Sequence, residues 1–135
     1  MTAVGVSSGI FRDIFSTEPM RRIFADENRV LLLDPKNGEA YNNLAWDLAT
    51  CPKVNFRDGK KAVQYATQAC ELSEWKNPAF IDTLAAACAE AGDFVDAVKW
   101  ENKYLEAPNQ SASDVADAKK RLVLYQAHQP YHADK

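Results

Sequence analysis

The sequence predicts an all-α protein, and three observations carry that prediction. Alternating runs of β-branched residues are missing, while Ala, Leu, Lys, Glu and Gln fill long windows. Apolar residues recur at the i, i+3, i+4, i+7 spacing that gathers them on one helical face. Nearly every such stripe is bracketed by a capping residue, a proline or a glycine.

The elements follow in order. Glu18 to Leu33 reads as a first helix, with Met20, Ile23, Phe24 and Val30 as core candidates. Asn37 caps a second helix whose apolar stripe is Tyr41, Leu44, Ala45 and Leu48, and Pro52 ends it. Asp58 caps a third, striped with the small residues Ala62, Val63, Ala66, Ala69 and Leu72. Asn77-Pro78 is a cap followed by proline at the first helical position, where the missing N–H is not needed. The helix it starts carries Ile81, Leu84, Ala85 and Cys88, and Gly92 closes it in a left-handed conformation. Asp93 starts the next, with Phe94, Ala97, Val98, Tyr104 and Leu105 inward until Pro108. A last helix begins near Ser111 or Ser113, with Val115, Ala118, Leu122 and Tyr125 as its apolar face. The polar remainder, HQPYHADK, reads as a frayed tail. The expected organisation is therefore a partly ordered segment over 1–17, a helical domain over 18–126 and a flexible tail over 127–135.

Composition limits the function. The chain has 135 residues, 47% hydrophobic and 26% charged, with a net charge of -3. That is one soluble domain with a modest core. Its basic residues fall in short separate clusters, Arg21-Arg22, Lys60-Lys61 and Lys119-Lys120-Arg121, so no nucleic-acid footprint is expected. MTAVGVSSGIF lacks a basic start and a sustained apolar run, and no stretch is apolar enough to span a bilayer, which predicts a cytoplasmic protein without membrane contact.

Cys51, Cys70 and Cys88 form no CxxC pair, so buried free thiols are expected rather than a disulfide framework or a zinc site. Cys51 ends one helix and Cys70 lies well along the next; at ~1.5 Å per residue the two are beyond bonding range. A nucleophilic cysteine needs a paired histidine, yet His128 and His132 fall in the tail. Pro130 between those histidines argues against a helical two-histidine metal site. Gly59-Lys60 lacks the strand, the earlier glycine and the following Ser or Thr of a phosphate loop. No catalytic residue, cofactor or metal is expected.

The chain also repeats itself. The stripe Tyr41-Leu44-Ala45-Leu48 lies on Ile81-Leu84-Ala85-Cys88, and Ala62, Ala66 and Ala69 lie on Ala97, Glu101 and Tyr104. With Leu84, Ala85, Gly92, Phe94, Ala97 and Pro108 near its signature positions, AFIDTLAAACAEAGDFVDAVKWENKYLEAP resembles a tetratricopeptide repeat. LLLDPKNGEAYNNLAWDLA resembles the end of one repeat running into the next, so the likeness spans Val30 to Pro108. Glu101, charged where the family tends to be bulky and apolar, departs from the pattern, as does Cys88 in place of an aromatic. So does CPKVNFRDGKKAV, which adds about five residues to a repeat of about 34.

The resemblance implies stacked helical hairpins whose first helices line a concave groove for an extended peptide or a partner helix. By family position the groove residues are Glu39, Asn42, Asn43, Trp46 and Thr50 from the first repeat and Asp82, Thr83 and Glu90 from the second. A carboxamide at Asn43 can both donate to and accept from a peptide backbone, and Trp46 can anchor an interface. The bland alternative is that Trp46 covers a neighbouring helix and Asn43 bonds within its own hairpin. The groove lacks the lysine pattern with which some family members clamp a chaperone's terminal carboxylate, and the long loop is expected at a hairpin tip away from it.

A non-catalytic protein-interaction module is thus the expected function. The alternative is self-association through uncovered helical ends, giving a homo-oligomer. A distant third, an enzyme fragment or chimera, comes from FRDIFSTEPMRRIFADENRV, which resembles the opening of carboxymuconate cycloisomerases in the fumarase and adenylosuccinate lyase superfamily. It carries no catalytic residue over.

Overall fold

The computed structural model describes residues 21–133. Among them the fold is all-helical, without a strand. Residues 21–33 form α1; α2 spans Gly38–Thr50, α3 Gly59–Leu72, α4 Pro78–Glu90, α5 Phe94–Leu105 and α6 Ala112–Gln126, with a 3-10 turn at Val54–Phe56. Met20, the expected start at Glu18 and the segment 1–17 lie outside the described residues.

Local chemistry sets the boundaries. Oδ1 of Asn37 accepts the Ala40 amide at 3.0 Å, and Asp58 takes Lys61 N at 3.1 Å. The Asp93 carboxylate takes Asp96 N and the Ser111 hydroxyl takes Asp114 N. Each bond satisfies an N–H that the first helical turn leaves without a partner. Asn77 caps α4 through Ala79 N, with Pro78 at its first position. Gly92 ends α4 at φ 89°: its amide reaches Ala89 O and the Asp93 amide reaches Cys88 O, the paired bonds of a Schellman closure.

Helix α4 is central, packed by α2, α3 and α5, while α6 covers α5. Its burial extends beyond the expected stripe, taking in Phe80, Ile81 and every residue from Thr83 to Ala89. Close approach is possible because the facing positions are small. Ala45, Ala49, Ala62, Ala66, Ala69, Ala85 and Ala97 are all fully buried, while Leu44 and Tyr125 fill the wider gaps. Cys51, Cys70 and Cys88 are buried and unbonded. Burial pushes the Cys70 and Cys88 thiols up to about 12, leaving them as inert packing groups.

Two expectations fail. Ile23 and Val30 of α1 are not core residues, at 38% and 37% exposed; α1 touches the rest of the fold through a few side chains, among them Phe24 stacked on Phe56 at 5.5 Å. Nor do the described residues after α6, 127–133, run free of the helices. His128 adopts φ 59° and stacks on Phe94 at 5.3 Å, and Gln129 N bonds Leu124 O, so the chain turns back onto the helices. A non-glycine residue in the left-handed region costs about 1–2 kcal/mol, which these contacts offset.

Candidate functional site

The open space between α1, α2 and α4 is a cleft of about 380 Å³. Asn42, Asn43 and Trp46 line it from α2, Asp82 and Thr83 from α4, with Ile23 and Glu27 of α1, Asp47 of α2 and Ala79 of α4 completing its walls. The i, i+1, i+4 spacing of Asn42, Asn43 and Trp46 puts them on one side of α2.

The expected groove residues differ in their surroundings. Asn43 is exposed, and its Nδ2 donates to Glu27 Oε1 at 3.5 Å, so the amide meets the preceding helix rather than its own hairpin. Asn42 Oδ1 is buried without a hydrogen-bond partner among the described residues. Thr83 is closed: it is 3% exposed and its hydroxyl donates to Ala79 O, which satisfies it on its own helix. Glu39 sits exposed in the first turn of α2, outside the cleft lining. Trp46, Thr50 and Glu90 are engaged by the chain's own C-terminal segment. Tyr131 packs its ring on Trp46 at 5.9 Å, His132 Nε2 meets Glu90 Oε1 at 2.7 Å, and Ala133 N donates to Thr50 O at 2.7 Å.

The loop CPKVNFRDGKKAV also reaches this surface. Arg57 donates from Nη1 to Cys51 O at 2.8 Å and from Nε to Glu90 Oε2 at 3.3 Å, so Glu90 joins loop and tail. The loop, expected to stand apart from the groove, thus touches one expected groove residue, Glu90, while none of its residues lines the cleft. Gly59 has a packing role there. A Cβ at that position would lie 2.5 Å from Ala91 N and 2.7 Å from Ala91 Cα, so the start of α3 abuts the end of α4 only without a side chain.

Charge in the cleft is dominated by carboxylates. Burial and the nearby Glu27 push the Asp47 carboxyl up to about 6, and burial also raises Glu27. Beside them Arg121 of α6 donates from Nη2 to Asp82 at 3.1 Å and from Nε to Glu101 Oε2 at 3.2 Å. Its guanidinium also lies over the rings of Trp46 and Tyr131, 5.8 and 5.7 Å from their centroids. Glu101 is fully buried; burial and Asp82 push its carboxyl up to about 9, against the opposing pull of Arg121. One guanidinium is shared by the part-buried Asp82 and the fully buried Glu101, which favours the protonated form of Glu101.

Arg121, Glu101, Tyr131 and His132 are the site residues that sequence reasoning missed. A signal for the pair was present: Glu101 aligned with Ala66 of an alanine stripe, and a charge on such a face demands a cation from another element. Arg121 lies between Ala118 and Tyr125 on the buried face of α6, at i+3 from one and i−4 from the other.

Among the described residues no cluster of His, Cys, Asp and Glu could hold a metal ion, and no helix is long and apolar enough to cross a membrane. Comparison with protein-family models, curated proteins and solved structures gives no match.

Proposed function

We propose that the chain is a non-catalytic binding module of tetratricopeptide type, taking an extended peptide or partner helix on the concave side of its helical hairpins. The observation that carries this reading is the meeting of Asn42, Asn43 and Trp46 with Asp82 and Thr83 around one cleft. These residues come from the corresponding helices of the two sequence repeats, α2 and α4. The side-chain chemistry is that of a peptide surface. An exposed carboxamide can pair with backbone groups, an aromatic ring offers area, and the carboxylates of Glu27 and Asp47 favour donor-rich ligands.

The test is selection of peptides from a random displayed library against the full chain. Enriched peptides that bind the wild type and lose at least tenfold in affinity on Asn43→Ala or Asp47→Asn support the reading. No enrichment, or binders indifferent to both substitutions, overturns it. One observation favours a second reading, self-association: adjacent Leu32 and Leu33 at the end of α1 are 85% and 82% exposed. A concentration-independent monomer by light scattering removes it.

A further inference from the structure

Residues 129–133 carry neither helix nor strand, yet three successive residues are seated on three of the positions expected to meet a ligand. Tyr131 lies on Trp46, His132 on Glu90 and Ala133 on the backbone of Thr50. The Thr50 carbonyl is one of those that the end of α2 leaves without a helical partner, so it is open to any extended chain that presents an amide there. Arg121 sits over both Tyr131 and Trp46, so the aromatic position joins three side chains from three parts of the chain. Pro130 fixes its own φ and biases Gln129 to an extended backbone, so the segment arrives with little conformational freedom left to lose. None of these contacts depends on the covalent link to α6.

We propose that Gln129–Ala133 is an internal ligand of the groove, and that it stands in for an extended peptide in which an aromatic residue is followed directly by histidine. The inference deepens the peptide-binding reading and rests on it. An incoming peptide of this class takes the Trp46, Glu90 and Thr50 contacts by displacing the tail. Tethering gives the tail an effective concentration on the order of millimolar, so the wild-type groove discriminates against weak ligands.

The experiment uses the full chain and, as probe, a fluorescein-labelled peptide of residues 127–135, AHQPYHADK. In anisotropy titrations the double variant Tyr131→Ala/His132→Ala binds this peptide saturably, and wild type binds it at least about tenfold more weakly, because its own tail competes. A probe with alanine at both corresponding positions does not bind. Circular dichroism and melting verify that the double variant is folded. If it is not, His132→Ala alone serves: it removes one partly exposed contact and should raise probe affinity over wild type by a smaller factor. Equal binding to wild type and the folded variant overturns the proposal, as does absence of binding to the folded variant. Library-selected peptides that remain sensitive to Asn43→Ala would show that such a failure belongs to the tail alone; their absence as well would show that the groove reading itself had failed.

Discussion

Arg121 Nε on α6 donates to Glu101 Oε2 on α5 at 3.2 Å, with Glu101 fully buried, and the same guanidinium turns its Nη2 to Asp82 on α4. One cation thus joins the last helix to α4 and α5 and, through Trp46 and Tyr131, to α2 and the C-terminal segment.

Removing that cation should be costly. Arg121→Ala takes the cation away from the Asp82 carboxylate and the buried Glu101, and breaking a largely buried pair from one side typically costs about 3–5 kcal/mol. Urea denaturation followed by circular dichroism should show a midpoint lowered accordingly. An unchanged midpoint would mean that the network contributes nothing to stability.

The proton on Glu101 has a pH signature. In the fold this carboxyl titrates at about 9, against an ordinary value of 4.5. Between those values the folded state binds a proton that the unfolded chain has released, so stability is fully present below the lower value and is lost as pH rises towards the upper one. Asp47, raised from 3.8 to about 6, adds a loss of the same sign over its lower window. Glu101→Gln, neutral at every pH, should flatten the decline between pH ~6 and ~9 in denaturant midpoints. A parallel pH profile in the variant would contradict a buried neutral Glu101.

The glycine in RDGKK should prove structural. Gly59→Ala forces a Cβ against the backbone of Ala91, and overpacking of this kind costs about 1–3 kcal/mol. Thermal melting of the variant gives the answer directly. Stability equal to wild type would mean that the contact of α3 with α4 is not tight.

Ala85, fully buried between packed helices, tests the small-residue interface. Ala85→Arg places an unpaired charge and a long side chain where only a methyl fits, and the chain should lose its cooperative melt. Retention of the wild-type melt would mean that this face is not closed.

Thiol labelling gives an independent check on the core. Cys70 and Cys88, buried and held as thiols, should react with an aromatic disulfide reagent only as fast as the protein opens. Rapid stoichiometric labelling in native buffer would place at least one of them at the surface.

Helix starts and stops were written locally. Asn37, Asp58, Asn77, Asp93 and Ser111 cap where the sequence placed them, and Gly92 closes α4, because a cap is a contact between residues two to four apart. The alanine stripes were legible for the same reason, since helical periodicity alone puts Ala62, Ala66 and Ala69 on one face. What could not be read was any feature that depends on which distant elements meet. Thr83 had a groove position only by resemblance to the repeat family, and its burial follows from where its neighbours pack. Ile23 and Val30 had the right spacing for a core and found no core to enter. The polar C-terminal segment carries no periodicity, yet Tyr131 and His132 gain partners on α2 and α4 that lie dozens of residues away. By itself the sequence determined the helices of the described residues, their caps and their small-residue faces, because these depend on neighbours along the helix. Tertiary structure alone decided the pairing of Glu101 with Arg121 and the seating of the tail on Trp46, Thr50 and Glu90, because burial and pairing energies exist only once separate helices are brought together.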